Sequence, residues 1–452
     1  MKWRTSAIYL LVLLLIGGYF YYFEVVKKEQ KEAAEQEAKR ALPINFEDIK
    51  AIEIYAGEAK PIRIEKQDKW RITEPLNTDV DRAAFDSFFS ALKNLEQERK
   101  LEGAQGNLGA FGLNNPSLKI RVQTGDQWTE ILMGEKNPTG ESRYSKTSTA
   151  GDIFLVAQRN WDSLDKSLKD LRKKDLFSWQ TDQVVAMDVA WQNGEKIRVE
   201  RQEGTKEWKA AGLPDLKIKT SKVEDLLDQL HWLRAVDFLE ENAAPDPPLV
   251  EVNLQLKNGQ TAEVKFGNPD TNTRQTVAVV GGNPVPVKVA SFFMKDMPKS
   301  ADFLADRSLI PGEPDAVSRV KWKMEGSEGN VVKIDENTWG NKPGDAKPKP
   351  LEDSHPIKAL LGDLGSIEYT EAIDPPPDFP ADPPNSIEFW GGDKKLSSMA
   401  WTKLSAAQGE AAVVRIEKNG ETRSVKLDHE STERIKNSMD NLVKAAQGKK
   451  AQ

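Results

Sequence analysis

The residues able to do chemistry are few and scattered. The 452-residue chain holds three histidines, His231, His355 and His429, and no cysteine. No His-Glu-x-x-His spacing links the histidines, so a metal site built from them requires convergence over long distances. The lack of cysteine removes thiolate metal sites, cysteine nucleophiles and disulfide staples. It suits an oxidising compartment, although chance loss explains it equally well. No Gly-x-Ser-x-Gly elbow presents a serine, and neither a P-loop nor a dinucleotide glycine fingerprint occurs. ATP hydrolysis by this chain is therefore not expected. Glu240-Glu241 is the kind of carboxylate pair that works on glycans. Among 71 acidic residues such pairs arise by chance, and a solvated face is the plainer reading. His231, next to Trp232, reads as a half-buried packing residue. No catalytic, metal-binding or cofactor-binding residue is nominated, no cofactor is implied, and any binding site stays unassigned.

Aromatic residues offer a second route to a site. Trp70, Trp208 and Trp339 share one repeat position, for which core packing is the natural role. Trp128, Trp161, Trp179, Trp390 and Trp401 are candidates for a sugar or peptidoglycan platform, with nothing in the sequence to choose among them. Phe292-Phe293-Met294 is either a partner surface or the buried face of a helix, and burial is the preferred reading.

The elements that must position these residues come in three copies. Trp208 follows Trp70 by 138 positions (208 − 70), and Trp339 follows Trp208 by 131 (339 − 208). Alternating apolar residues precede each Trp: Ile52, Ile54, Ile62 and Ile64; then Met187, Val189, Trp191, Ile197 and Val199; then Val320, Trp322, Val331 and Ile334. Such alternation marks half-buried strands. A helical pattern follows each Trp, over Asp79 to Leu95, Ser221 to Leu233 and a shorter His355 to Leu364, with Ser221 and Glu224 spaced as a capping box. Strands opened by proline come next, at Pro116, Pro248 and Pro384. Gly134 and Gly267 end later strands, and Leu171 and Leu304 close helical segments. One module therefore runs strands, Trp strand, helix, strands, helix, in about 135 residues, a sensible domain size.

The fold class expected is α+β, three tandem modules with antiparallel sheets. Its boundaries are 43–177, 178–310 and a degenerate 311–452 with proline-rich extended stretches at Asn341 to Pro350 and Asp374 to Pro384. Ahead of them lie a tail (1–4), an apolar segment (5–23) and a stalk (24–42). Thr5 to Phe23 is uncharged and, as a helix, reaches about 28 Å, enough to cross the hydrocarbon core. Bulky Tyr19 to Phe23 stand where a signal-peptide cleavage site needs small residues, so an uncleaved anchor is expected. Glu24 to Arg40 is rich in helix formers without an apolar seam, which reads as a solvated helical stalk closed by Pro43. A strict count of basic residues points the bulk of the chain inward, whereas the short tail before an early apolar segment points it outward. The outward reading is preferred, on a bacterial inner membrane. Net charge is -7 with the charges well mixed, which speaks against a nucleic-acid partner.

Several landmarks of the first module form a recognisable set. They are Trp70 to Pro75, the turn Phe111-Gly112-Leu113-Asn114-Asn115-Pro116, Leu132-Met133-Gly134, Arg143-Tyr144, Ile153-Phe154-Leu155-Val156 and Leu171 to Phe177. Together they resemble a bacterial repeat family known as domain of unknown function 4340, over most of residues 43 to 310. The second and third modules lack the Phe-Gly-Leu turn. The resemblance implies a single-span envelope protein encoded near an ABC transporter of the gliding-motility type. It implies the transporter's permease or auxiliary membrane subunit as partner and carries no reaction. The function expected is a membrane-anchored envelope accessory or scaffold. A glycan-binding or glycan-processing envelope protein and a cytoplasm-facing adaptor are the alternatives.

Overall fold

The computed structural model describes Trp3 and residues 39–448, apart from 58, 102, 104–105, 150, 284, 311–313, 325–326, 345, 375, 377–378, 405–409 and 419. The expected anchor and residues 24–38 of the expected stalk lie outside the described residues. Among those described, no helix is long and apolar enough to cross a membrane.

The chain is α+β, with three antiparallel sheets of nine, eight and nine strands and, among the described residues, six α-helices. Contacts divide it into two compact units: residues 1–196 with 225–297, and residues 197–224 with 298–452.

Unit 1 contains the whole first sheet. Its strands are β1 (Ile49–Ala56), β2 (Ile62–Lys66), β3 (Trp70–Glu74), β4 (Thr78–Asp79), β5 (Arg99–Leu101), β6 (Leu118–Thr124), β7 (Gln127–Lys136), β8 (Ser142–Thr147) and β9 (Ile153–Ala157). Their spatial order is β4-β3-β2-β1-β6-β7-β8-β9-β5. Helix α1 (Arg82–Lys93) packs on one face because Phe85, Phe88 and Leu92 recur at helical spacing and are buried against Ile52, Ile64 and Ile72. Each such side chain contributes about 1.5–3 kcal/mol on burial. Asp81 caps the helix by accepting the Ala84 amide hydrogen. Two short helices, α2 (Gln158–Leu164) and α3 (Leu168–Leu171), complete that layer. Unit 1 also holds six strands of the second sheet: β10 (Val184–Trp191), β13 (Asp237–Phe238), β14 (Val250–Leu256), β15 (Thr261–Phe266), β16 (Gln275–Val280) and β17 (Val287–Ala290). They run β10-β14-β15-β16-β17-β13, which repeats β1-β6-β7-β8-β9-β5. Even an irregularity recurs: the register slips between Ile49 and Ala51 on β1 and between Val184 and Ala186 on β10.

Unit 2 contains the antiparallel pair β11 (Lys196–Arg201, whose first residue is counted with unit 1) and β12 (Trp208–Ala210), and the whole third sheet. The third sheet's strands are β18 (Arg319–Met324), β19 (Ser327–Lys333), β20 (Trp339–Asn341), β21 (Lys349–Pro350), β22 (Glu371–Ile373), β23 (Asn385–Gly391), β24 (Lys394–Trp401), β25 (Ala412–Lys418) and β26 (Glu421–Leu427). Their order, β21-β20-β19-β18-β23-β24-β25-β26-β22, copies the first sheet strand for strand. The third module, the most divergent in sequence, thus keeps the complete topology. Trp322, Trp339, Phe389 and Trp401 lie in its core. The remaining helices are α4 (Thr220–His231, of which residues 225–231 are counted with unit 1), α5 (His355–Ser366) and α6 (His429–Ala446).

Several boundaries differ from the sequence reading. Asp79 belongs to β4, and α1 starts only at Arg82, because Asp81 takes the cap position. Helix α5 spans 12 residues, as do α1 and α4, so the third helix is not shorter. Ser221 is the second residue of α4 and not its cap, because the Lys219 amide is already bonded to the Leu304 carbonyl and fixes an earlier start. Glu224 accepts a hydrogen bond from Arg201 instead of closing a capping box. Gly134 lies inside β7, which continues through a register shift to Lys136. Arg40 is not part of a stalk helix: it bridges to Glu96, and Ala41 and Leu42 are buried in the first core.

Candidate functional site

Some of the sequence candidates pack against neighbouring rings or in a core, and others are exposed. His231 lies between Trp179 and Trp232, with ring centroids 5.5 and 4.8 Å away. His355 and His429 are the first residues of α5 and α6, both exposed. Among the described residues no group of three or more His, Asp or Glu could hold a metal ion. Glu240 is exposed. Trp208 and Trp339 are buried, and Trp70 stacks on Phe85 and Phe89 beside its core. Cations cover three of the platform candidates: Arg121 over Trp128 at 4.5 Å, Arg143 over Trp161 at 3.9 Å and Lys321 over Trp390 at 4.9 Å. Trp179 and Trp401 are buried. Phe293 and Met294 are buried as expected, whereas Phe292 is 58% exposed.

The nearest approach to a reactive constellation was missed by the sequence reading. In unit 2 a cavity of about 350 Å³ is lined by Asp306, Ser308, Tyr369 and Lys418. The Lys418 ammonium donates to Ser308 Oγ at 2.7 Å and to Asp306 Oδ2 at 2.7 Å. Ser308 Oγ in turn donates to Asp306 Oδ1 at 2.5 Å. A serine–lysine dyad requires a neutral amine to take the hydroxyl proton. Here burial pushes the Asp306 carboxyl up, but hydrogen bonds from Lys418 and Ser308 outweigh it and hold the group below the usual carboxylate range. The Ser308 hydroxyl is directed at Asp306, and Lys418 donates to the hydroxyl oxygen and to the same carboxylate, so the three groups form one hydrogen-bonded cluster. The cluster is a half-buried ion pair with a hydroxyl bridge.

Similar polar groups fasten the joints. In unit 1 the Arg234 guanidinium pairs with Asp81 and, at 3.1 Å, with Asp175. The Ala235 amide donates to the Lys174 carbonyl at 2.8 Å, beside an Asp175–Arg234 bridge. In unit 2 Glu368 pairs with Lys219 at 2.8 Å and Lys222 at 2.6 Å. There the Tyr369 amide donates to the Arg307 carbonyl at 3.0 Å, beside a Ser308–Glu368 bridge. The Arg40–Glu96 bridge has the same form, with the Gln97 amide donating to Lys39 at 2.7 Å. No motif announces these pairs, because their members stand up to 153 residues apart.

The landmarks of the first module converge on one structural knot. Gly112 ends the short helix Leu108–Phe111 in the left-handed region (φ 67°), and the Phe111 ring packs on Tyr144 at 4.7 Å. A side chain at Gly134 would meet the Phe111 carbonyl oxygen at 2.2 Å, so only glycine lets the turn seat on β7. Arg143 ties the ends together, donating to the Gly134 carbonyl at 2.8 Å, Ser117 Oγ at 3.1 Å and Gln158 at 3.0 Å. The landmarks hold a turn against a strand.

A comparison with curated proteins finds no match. Among solved structures, the chain has a likeness to DNA polymerase III subunit beta from Borrelia burgdorferi, in complex with a natural product. The identity is 8% over 88% of this chain and 96% of that one, and the TM-score of 0.14 carries no argument. Residues 70–249, which contain the turn, Gly134 and Arg143, match the model of the family described as Domain of unknown function (DUF4340), the family that the first module's landmarks resemble.

Proposed function

We propose that this chain is a non-enzymatic, membrane-anchored envelope protein that serves as an accessory or scaffold to an ABC transport complex. The observation that supports the non-enzymatic half is the engagement of both the Lys418 ammonium and the Ser308 hydroxyl by the Asp306 carboxylate, which ties the three groups to one another. Polar side chains elsewhere fasten joints, as Arg234 and Glu368 do. Broad two-layer modules suit binding and spacing. The anchor rests on the uncharged run Thr5 to Phe23. The transporter partner rests on the family resemblance alone.

Topology is tested with single cysteines at Ser148 and Ser327, because no native thiol competes. An impermeant maleimide should label both in cells whose inner membrane is intact. Labelling only after that membrane is breached would overturn the exported orientation. Deletion of residues 5–23 should move the protein from the membrane to the soluble fraction, and retention on the membrane would refute the anchor.

A further inference from the structure

The two joints are built alike but with opposite charge. Asp81 and Lys219 hold one repeat position: each follows a bridging residue (Val80, Ile218), and their amides donate to the carbonyls of Leu171 and Leu304. Arg234 and Glu368 hold another, each bridged to the chain that enters its module, at Asp175 and Ser308. In unit 1 the pair is acid on the helix-start side and cation on the receiving side. In unit 2 the signs are reversed, Lys219 and Lys222 facing Glu368. The backbone bridges are common to both joints and discriminate nothing. The charge distinguishes one face from the other.

We infer that this reversal makes the joints selective: the face around Asp81 accepts a segment carrying a cation, and the face around Lys219 and Lys222 accepts one carrying an acid. A segment of the wrong order, from this chain or a second copy, would place like charges together where Asp81 is only 5% exposed. Like-charge contact discriminates between partners whose backbones fit equally well.

Hydrogen exchange on the full chain tests this, read at the Tyr369 amide. Glu368→Arg gives the unit 2 joint the receiving charge of the unit 1 joint. It should speed exchange about tenfold over Glu368→Gln, which removes charge without adding repulsion. Lys219→Asp and Lys222→Ala combined with Glu368→Arg, which leave no lysine facing the new arginine, should restore exchange to within about twofold of the starting protein. Equal rates for the Arg and Gln variants would reduce the pair to an ordinary contact and overturn the inference. Failure of this combined variant to restore protection would also overturn it. Should Glu368→Arg not fold, Arg234→Glu against Arg234→Gln, read at the Ala235 amide, makes the same comparison in unit 1.

Discussion

Ser308 presents its hydroxyl oxygen 2.7 Å from the Lys418 ammonium, the spacing of a serine–lysine dyad, while Asp306 accepts hydrogen bonds from both. A fluorophosphonate probe should therefore leave Ser308 unlabelled at neutral pH. Asp306→Asn strips the largely buried Lys418 of its counter-ion and should cost about 2 kcal/mol of stability in urea unfolding. Labelling of Ser308 in the unaltered chain would contradict the structural role.

Acid should loosen unit 2 through Glu368. Burial pushes its carboxyl up, and hydrogen bonds from Lys219 and Lys222 outweigh that and hold it below the usual range. A group whose folded pKa is depressed stabilises the fold fully above its unfolded pKa, about 4.3 for Glu, and loses that contribution as pH falls through the folded value. The thermal midpoint should thus fall below about pH 5, and Glu368→Gln should make that decline shallower. An identical decline in both proteins would remove Glu368 from the explanation.

Gly134→Ala should destabilise the first module by about 1–3 kcal/mol, because the added carbon meets the fixed Phe111 carbonyl rather than a movable side chain. Gly106, with nothing within 4 Å, is the control, and its change to Ala should stay within about 0.5 kcal/mol. Equal denaturation midpoints for the two variants would contradict the close approach.

Arg143→Lys should cost about 1–2 kcal/mol, since lysine cannot both stack on Trp161 and reach Ser117, Gly134 and Gln158. Urea titration followed by tryptophan fluorescence measures it. A neutral outcome would mean that the knot holds without its arginine.

Features that depend on local periodicity were legible in the sequence. The Trp strands begin at Trp70, Trp208 and Trp339, and Phe85, Phe88 and Leu92 mark the buried face of α1. Features decided by tertiary contact were not. The start of α4 is set by the Lys219–Leu304 hydrogen bond, and Arg40 leaves the helical pattern to pair with Glu96. Phe292 is exposed although Phe293 and Met294 after it are buried, because a single-turn 3-10 helix does not turn three consecutive residues to one side. The Lys219–Glu368 pair spans 149 residues and belongs to no spacing rule. The signal that could have found it is the repeat itself: aligning Asp81 with Lys219 and Arg234 with Glu368 shows both charges reversing together.

The accessory role is tested most directly by mild crosslinking in intact cells, detergent extraction of the tagged chain and identification of what co-purifies. The expected result is an ABC permease or its auxiliary membrane subunit, lost when residues 43–452 are deleted. Recovery of cell-wall fragments alone, or of the same partners without residues 43–452, would contradict it.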